Sequence, residues 1–163
     1  MPVWLFIHLA LSSSLDAAAD TDLKAGETAV YNELRAAIPK GKIKTADDLY
    51  AKWQEIQNGK SKAVIIDIRT EAEFDAGHIL NSNNVDSGHA YGLYKKIKDS
   101  NTEIWVTCRT KHRASYFVGM LYKYGYTNVY LAEGGNQDLG GKRVPLGQQI
   151  SGNYQGDGIP KKA

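Results

Sequence analysis

The chain of 163 residues is short of the residues that staple or punctuate a fold, with a single cysteine, four prolines and four histidines. One cysteine excludes a disulfide within the chain. His8, His78, His89 and His112 stand at no spacing that a zinc site uses, so neither a metal nor another cofactor is expected. An excess of one charge is also lacking. The balance of 20 basic against 18 acidic residues leaves +2, too little to draw nucleic acid or an anionic membrane, so any basic effect must be local. No apolar run is long enough to span a bilayer comfortably, which argues against a stable membrane anchor. Internal repeats and low-complexity tracts are missing as well.

What is present begins with "VWLFIHLAL" followed by "SSSLDAAAD", with small residues Ala17 and Ala19 where a signal peptidase cuts. No Lys or Arg precedes the apolar run. Residues 1–19 read as a signal peptide, which puts a mature protein starting near Asp20 in the periplasm or outside the cell. The alternative is an amphipathic or buried N-terminal helix in a cytoplasmic protein. Residues 20–41 form an N-terminal helical extension: "AGETAVYNELRAAI" (25–38) carries Val30, Leu34 and Ile38 at helical spacing and is stopped by Pro39 and Gly41.

A domain follows over 42–147. "KIK" is a short strand, and in "TADDLYAKWQEIQNGK" Thr45 and Asp48 form a capping box ahead of an apolar face of Leu49, Trp53 and Ile56. "AVIIDI" (63–68) is a β-branched run of the kind that is buried on both faces in a parallel sheet. A brief helix "TEAEFDAG", an extended "NSNNV", a helix near "AYGLYKKIK", the strand "TEIWVT", the helix "HRASYFVGMLYKYG" closed by Gly125, and the strand "TNVYLA" complete the pattern. Strands alternating with helices predict an α/β fold with a parallel sheet. The tail, residues 148–163, is glycine-bearing and poor in apolar residues, and is expected to be extended or loosely docked.

Cys108 stands where "TEIWVT" runs out, at the carboxyl end of a parallel strand, where open α/β sheets bind ligands. Only a few residues separate it from the next helix, so the backbone N–H groups of a tight loop converge into an anion cradle. Arg109, Lys111 and Arg113 add positive charge there, a setting that favours a thiolate nucleophile meeting an anionic substrate. A lone cysteine at a strand end is otherwise a small buried hydrophobe. The coincidence with a helix start and three cations is what packing does not require.

The same residues carry a family resemblance. "VIIDIRTEAEFDAGHI", "CRTKHRAS" and "YGYTNVYLAEGG", in that order, resemble the signature segments and six-residue active-site loop of a single rhodanese domain over Lys42 to Leu146. The resemblance implies a rhodanese-like fold, a five-stranded parallel β-sheet flanked by helices. It also implies sulfur transfer through a persulfide on Cys108, from thiosulfate or polysulfide to cyanide, a small thiol or a protein cysteine. Arg109, Thr110, Lys111, His112 and Arg113 would then hold the anionic donor and the persulfide. The family pattern makes Asp67 and Arg69 structural, with Glu73 as the candidate salt-bridge partner of Arg69. His78 and Glu133 read as structural neighbours of the site, with Gly134 and Gly135 shaping the adjacent loop. His112 either tunes Cys108 or faces water.

Two departures stand out. "LNSNNV" follows Gly-His-Ile where the family turns on proline-glycine-alanine, and Leu139 replaces a common tryptophan. Related phosphatases and arsenate reductases place five residues between Cys and Arg. Here Arg113 follows after four, and Ala114 stands at the phosphatase position, which favours sulfane sulfur. A non-catalytic module that binds a partner protein remains the alternative from another class.

Overall fold

The structure is a computed structural model that describes residues 22–135 and the backbone of Leu146–Gly147. The readings for residues 1–19, Leu139 and 148–163 lie outside the described residues. Contacts divide the chain into two units, Met1–Glu33 and Leu34–Ala163. The described part of the first is helical, within α1 (22–36), and Val30 in it is 51% exposed. The expected N-terminal helix is present but ends at Ala36, and of its three apolar residues at helical spacing only Ile38, beyond the helix end, is fully buried. Among the described residues no helix is long and apolar enough to cross a membrane.

In the second unit the elements run β1 (Ile43–Lys44), α2 (Ala46–Gln57), β2 (Val64–Asp67), α3 (Glu71–Asp75), β3 (His78–Ile79), β4 (Asn83–Asn84), β5 (Ile104–Thr107), α4 (His112–Lys123), β6 (Val129–Ala132) and β7 (Leu146–Gly147). Strands β1, β6, β5, β2 and β4 lie side by side in that order, all parallel. This is the expected five-stranded parallel sheet. Strands β3 and β7 form a separate antiparallel pair in which His78 faces Gly147 and Ile79 faces Leu146.

Side chains alternate across a strand, and the alternation sorts the core into two layers. Ile65 and Trp105, in register on β2 and β5, point to the side where α2 packs Leu49, with Trp53 and Ile56 at the margin. Their neighbours Ile66 and Val106 point to the other side, among Phe117, Val118 and Leu121 of α4 and Leu93. The helix expected near "AYGLYKKIK" (90–98) is a 3-10 helix over Ser87–Lys95. Gly88 and Gly92 within it weaken α-helical propensity, and Asp86 caps it by accepting from the Gly88 N–H at 2.8 Å. Close packing fixes one glycine on α4: a methyl on Gly119 would come within 2.7 Å of the Leu34 Cβ.

Candidate active site

Strand β5 ends at Thr107 and α4 begins at His112, so Cys108 to Lys111 is the whole connection. Cys108 is 1% exposed, whereas Arg109, Thr110, Lys111 and His112 are exposed. The loop's backbone orientation follows from its neighbour. A methyl group on Gly135 would collide with the Cys108 carbonyl oxygen and lie 2.8 Å from those of Arg109 and Thr110. Three carbonyls therefore converge on Gly135. Because C=O and N–H of a trans peptide point opposite ways, the amides of Arg109, Thr110 and Lys111 point away from Gly135. Gly135 also has φ +55°, a conformation that glycine adopts freely.

The amino end of α4 is unlike those of α2 and α3. The latter pair have capping boxes, Thr45 with Asp48 and Thr70 with Glu73, and acids in their first turns. At α4 the cap position is Lys111, its side chain makes no capping hydrogen bond, and the first turn contains no acid. The first N–H groups of a helix have no partner within it and carry partial positive charge. A lysine at that position adds to the charge instead of offsetting it.

Charged pairs hold the loop from two sides. Arg113 donates both guanidinium ends to the Glu73 carboxylate, at 2.7 and 2.8 Å. These bonds, against a cost from burial, bring the Glu73 carboxyl down to about 2. The same bonds from Glu73 raise Arg113, and proximity to Cys108 and Asp67 adds smaller contributions in the same direction. On the other side Arg35 pairs with Glu133 and donates to the Ser115 hydroxyl at 3.2 Å. Ser115 in turn donates to the Lys111 carbonyl at 3.0 Å, so an arginine near the end of α1 reaches the cap of α4 through one hydroxyl.

The expected partner of Arg69 is corrected. Arg69 pairs with the fully buried Asp67, with a contact of 2.6 Å, and donates to the Gly77 carbonyl at 2.7 Å. Glu73 is taken by Arg113. A carboxylate two residues away on the outgoing strand is simply closer, and Asn84 locks the turn by donating to the Asp67 and Arg69 carbonyls at 3.0 and 2.8 Å. Arg113, expected among the donor-binding cations, thus has its guanidinium engaged by Glu73. Its charge still stands near Cys108, but its geometry is that of a loop anchor.

His78 stacks on Phe74 at 3.7 Å, and its Nδ1 lies 2.9 Å from the Phe74 carbonyl. It is buried below α3. His112 is the first residue of α4 and is exposed. The site also includes Arg35 and Ser115, which the sequence reading did not pick out. Their partners lie 98 and 80 residues away in the chain, beyond any local pattern. The Thr70 and Glu73 capping box did leave a signal, the spacing T-x-x-E ahead of a short helix.

Comparison with known proteins agrees with this fold. A sequence model of the rhodanese-like domain matches residues 48–140. The uncharacterized protein YqhL of Bacillus subtilis (strain 168) is 30% identical over 89 residues, covering 55% of this chain and 70% of the relative. A crystal structure of a rhodanese-related protein from Thermoplasma volcanium superposes with a TM-score of 0.53 and 26% identity, over 64% of this chain and 96% of that one. A protein of unknown function from Rhodopseudomonas palustris, described as a possible tyrosine phosphatase, reaches a TM-score of 0.59 at 19% identity, over 74% and 92% of the two chains. That likeness is one of fold alone.

Proposed function

This chain belongs to the rhodanese-like domain family, and on that premise we propose that it is a sulfurtransferase that carries sulfane sulfur as a persulfide on Cys108. The Cys108 thiolate attacks the outer sulfur of thiosulfate, a Cys108 S–S bond forms, and the donor's S–S bond breaks with its electron pair leaving on sulfite. Polysulfide reacts the same way and leaves as the shortened chain. A nucleophilic acceptor (cyanide, a small thiol or a protein cysteine) then takes the terminal sulfur and returns the thiolate. Neither half-reaction needs a cofactor.

This reading rests on the amino end of α4, where the short loop that follows the chain's one cysteine carries the exposed cations Arg109 and Lys111 into a helix terminus with no acid in its first turn. Such an end stabilises a persulfide anion and a departing sulfite. A loop with Arg113 bound to Glu73 is a poor oxyanion clamp, which counts against phosphatase chemistry. One observation favours a second reading, a binding module without turnover: Cys108 is 1% exposed and packs with the core that includes Ala114 and Phe117.

Intact mass after incubation with thiosulfate, and separately with polysulfide, distinguishes the two. A gain of one sulfur, reversed by cyanide and absent in Cys108→Ser, is expected. No gain in folded protein with a reduced thiol would leave the binding module. The apolar leader supports export as a further part of the proposal, and N-terminal sequencing of protein from fractionated cells tests it, with a start near Asp20 expected.

A further inference from the structure

A cavity of about 440 Å³ opens at the amino ends of β5 and β6. Ser100 on its wall leads into β5, and Gly125 and Tyr126 lead into β6, whereas Cys108 follows the carboxyl end of β5. The cavity is thus separate from the cysteine loop. Its volume falls within the roughly 300–1,000 Å³ typical of small-ligand sites.

Its lining divides into a fixed floor and an exposed rim. Ile97 and Tyr126 are buried at 5% and 7%, and the Tyr126 hydroxyl donates to the Ile97 carbonyl at 2.7 Å, which fixes the floor. The rim is aromatic. Tyr91, Tyr94 and Tyr124 are 69%, 62% and 54% exposed, and they are half of the exposed large apolar side chains among the described residues. Scattered exposed aromatics are ordinary, but several around one hollow mark a binding surface. Charge is equally one-sided. Lys98 lines the cavity, and Lys95 and Lys96 lie exposed on the same segment, with Lys95 Nζ 6.0 Å from the Tyr94 ring centre. The lining contains no acid, and the neighbouring Asp99 accepts from the Asn101 N–H at 2.9 Å, within its own turn.

We propose that this cavity binds a planar aromatic anion of one or two fused rings, its ring stacked among Tyr91, Tyr94 and Tyr124 and its acidic group turned to Lys98. Tyrosine faces and edges recognise a flat ring at small entropic cost, since each tyrosine has few rotors to freeze. An ammonium beside such a stack selects an acid over a neutral ring. The inference does not depend on sulfur chemistry at Cys108.

Fluorescence titration of the full chain with an anilinonaphthalene sulfonate tests it, beside the neutral phenylnaphthylamine that lacks the sulfonate. Saturable binding at one equivalent is expected, weakened about tenfold by Lys98→Glu and by Tyr124→Ala. Both positions are exposed, so far-UV circular dichroism and the melting temperature should not change. The neutral dye should bind several-fold more weakly, and Cys108→Ser or excess thiosulfate should leave the affinity as it was. Absence of saturable binding, equal binding by both variants, or displacement by thiosulfate would overturn the assignment.

Discussion

Helices α3 and α4 start in the same way, each following a central parallel strand at the carboxyl edge of the sheet, and their first turns are opposites. Thr70 and Glu73 satisfy the amino end of α3 from within the helix, while α4 begins on Lys111 with no capping side chain and no acid. A helix that meets its own needs is scaffold. One that starts without a capping side chain or an acid and has cations at its first turn gives up stability that a cap would supply, about 1 kcal/mol. Beside the only cysteine, that cost is what an anion site requires. Glu73 shows the division of labour, since one carboxylate caps α3 and also restrains Arg113 of α4.

The most damaging way to break this contrast is to move the loop itself. Gly135→Ala drives a methyl group into the carbonyls of Cys108, Arg109 and Thr110 at a φ of +55°. A loop forced off by even part of an ångström is expected to lose about a hundredfold in persulfide formation, measured by stopped-flow or quenched mass spectrometry. The contrast can also be erased directly. Lys111→Asp gives α4 the cap that α3 already has, and should stabilise the fold by about 1 kcal/mol in urea unfolding. The same change should lower kcat/KM for thiosulfate about tenfold, because the new carboxylate takes the amides and repels the donor. Higher stability with lower activity is a signature that simple damage does not give. A smaller effect is expected from Arg35→Gln, which frees Glu133 and Ser115. A drop of about fivefold in kcat with little change in KM, partly restored by Arg35→Lys, would mark a positioning residue.

Much of this was legible in the sequence, and what was hidden has a common cause. β2, β5 and β6 stand out because β-branched and apolar residues run together where both faces of a strand are covered. The capping box at Thr45 and the stop at Gly125 are local rules, read within a few residues. Cys108 was legible by position at a strand end. Arg69 was matched to the wrong acid because partner choice among nearby charges depends on backbone direction, and Asp67 lies directly behind it. Arg113 with Glu73 and Arg35 with Glu133 join segments 40 and 98 residues apart, so no window of sequence contains them. The 3-10 form of Ser87–Lys95 was hidden because its apolar spacing also suits an α-helix.

The Arg113 and Glu73 bridge tests how much of the α4 end is scaffold. Its two side chains are 38% and 35% exposed, so water screens the pair and its worth to stability is at most about 1 kcal/mol. The pH dependence has a definite sign. The Glu73 carboxyl falls from 4.5 to about 2 on folding, so the folded protein holds this proton less tightly than the unfolded chain. The stabilisation is therefore complete above about pH 5 and is lost as pH falls through 4.5 towards 2. Urea unfolding of the wild type and Glu73→Gln should differ by a constant amount at neutral pH, and the gap should close across that acid window. A gap that stays constant down to pH 2 would mean that Glu73 acts through shape and capping at Thr70, not through its charge on Arg113. A further comparison at neutral pH separates anchor from donor site: Glu73→Gln should slow persulfide formation with thiosulfate and with a neutral persulfide donor to the same extent. If the reaction with thiosulfate alone is instead accelerated, Arg113 belongs with Arg109 and Lys111 as a cation for the donor, and the bridge only restrains it between turnovers.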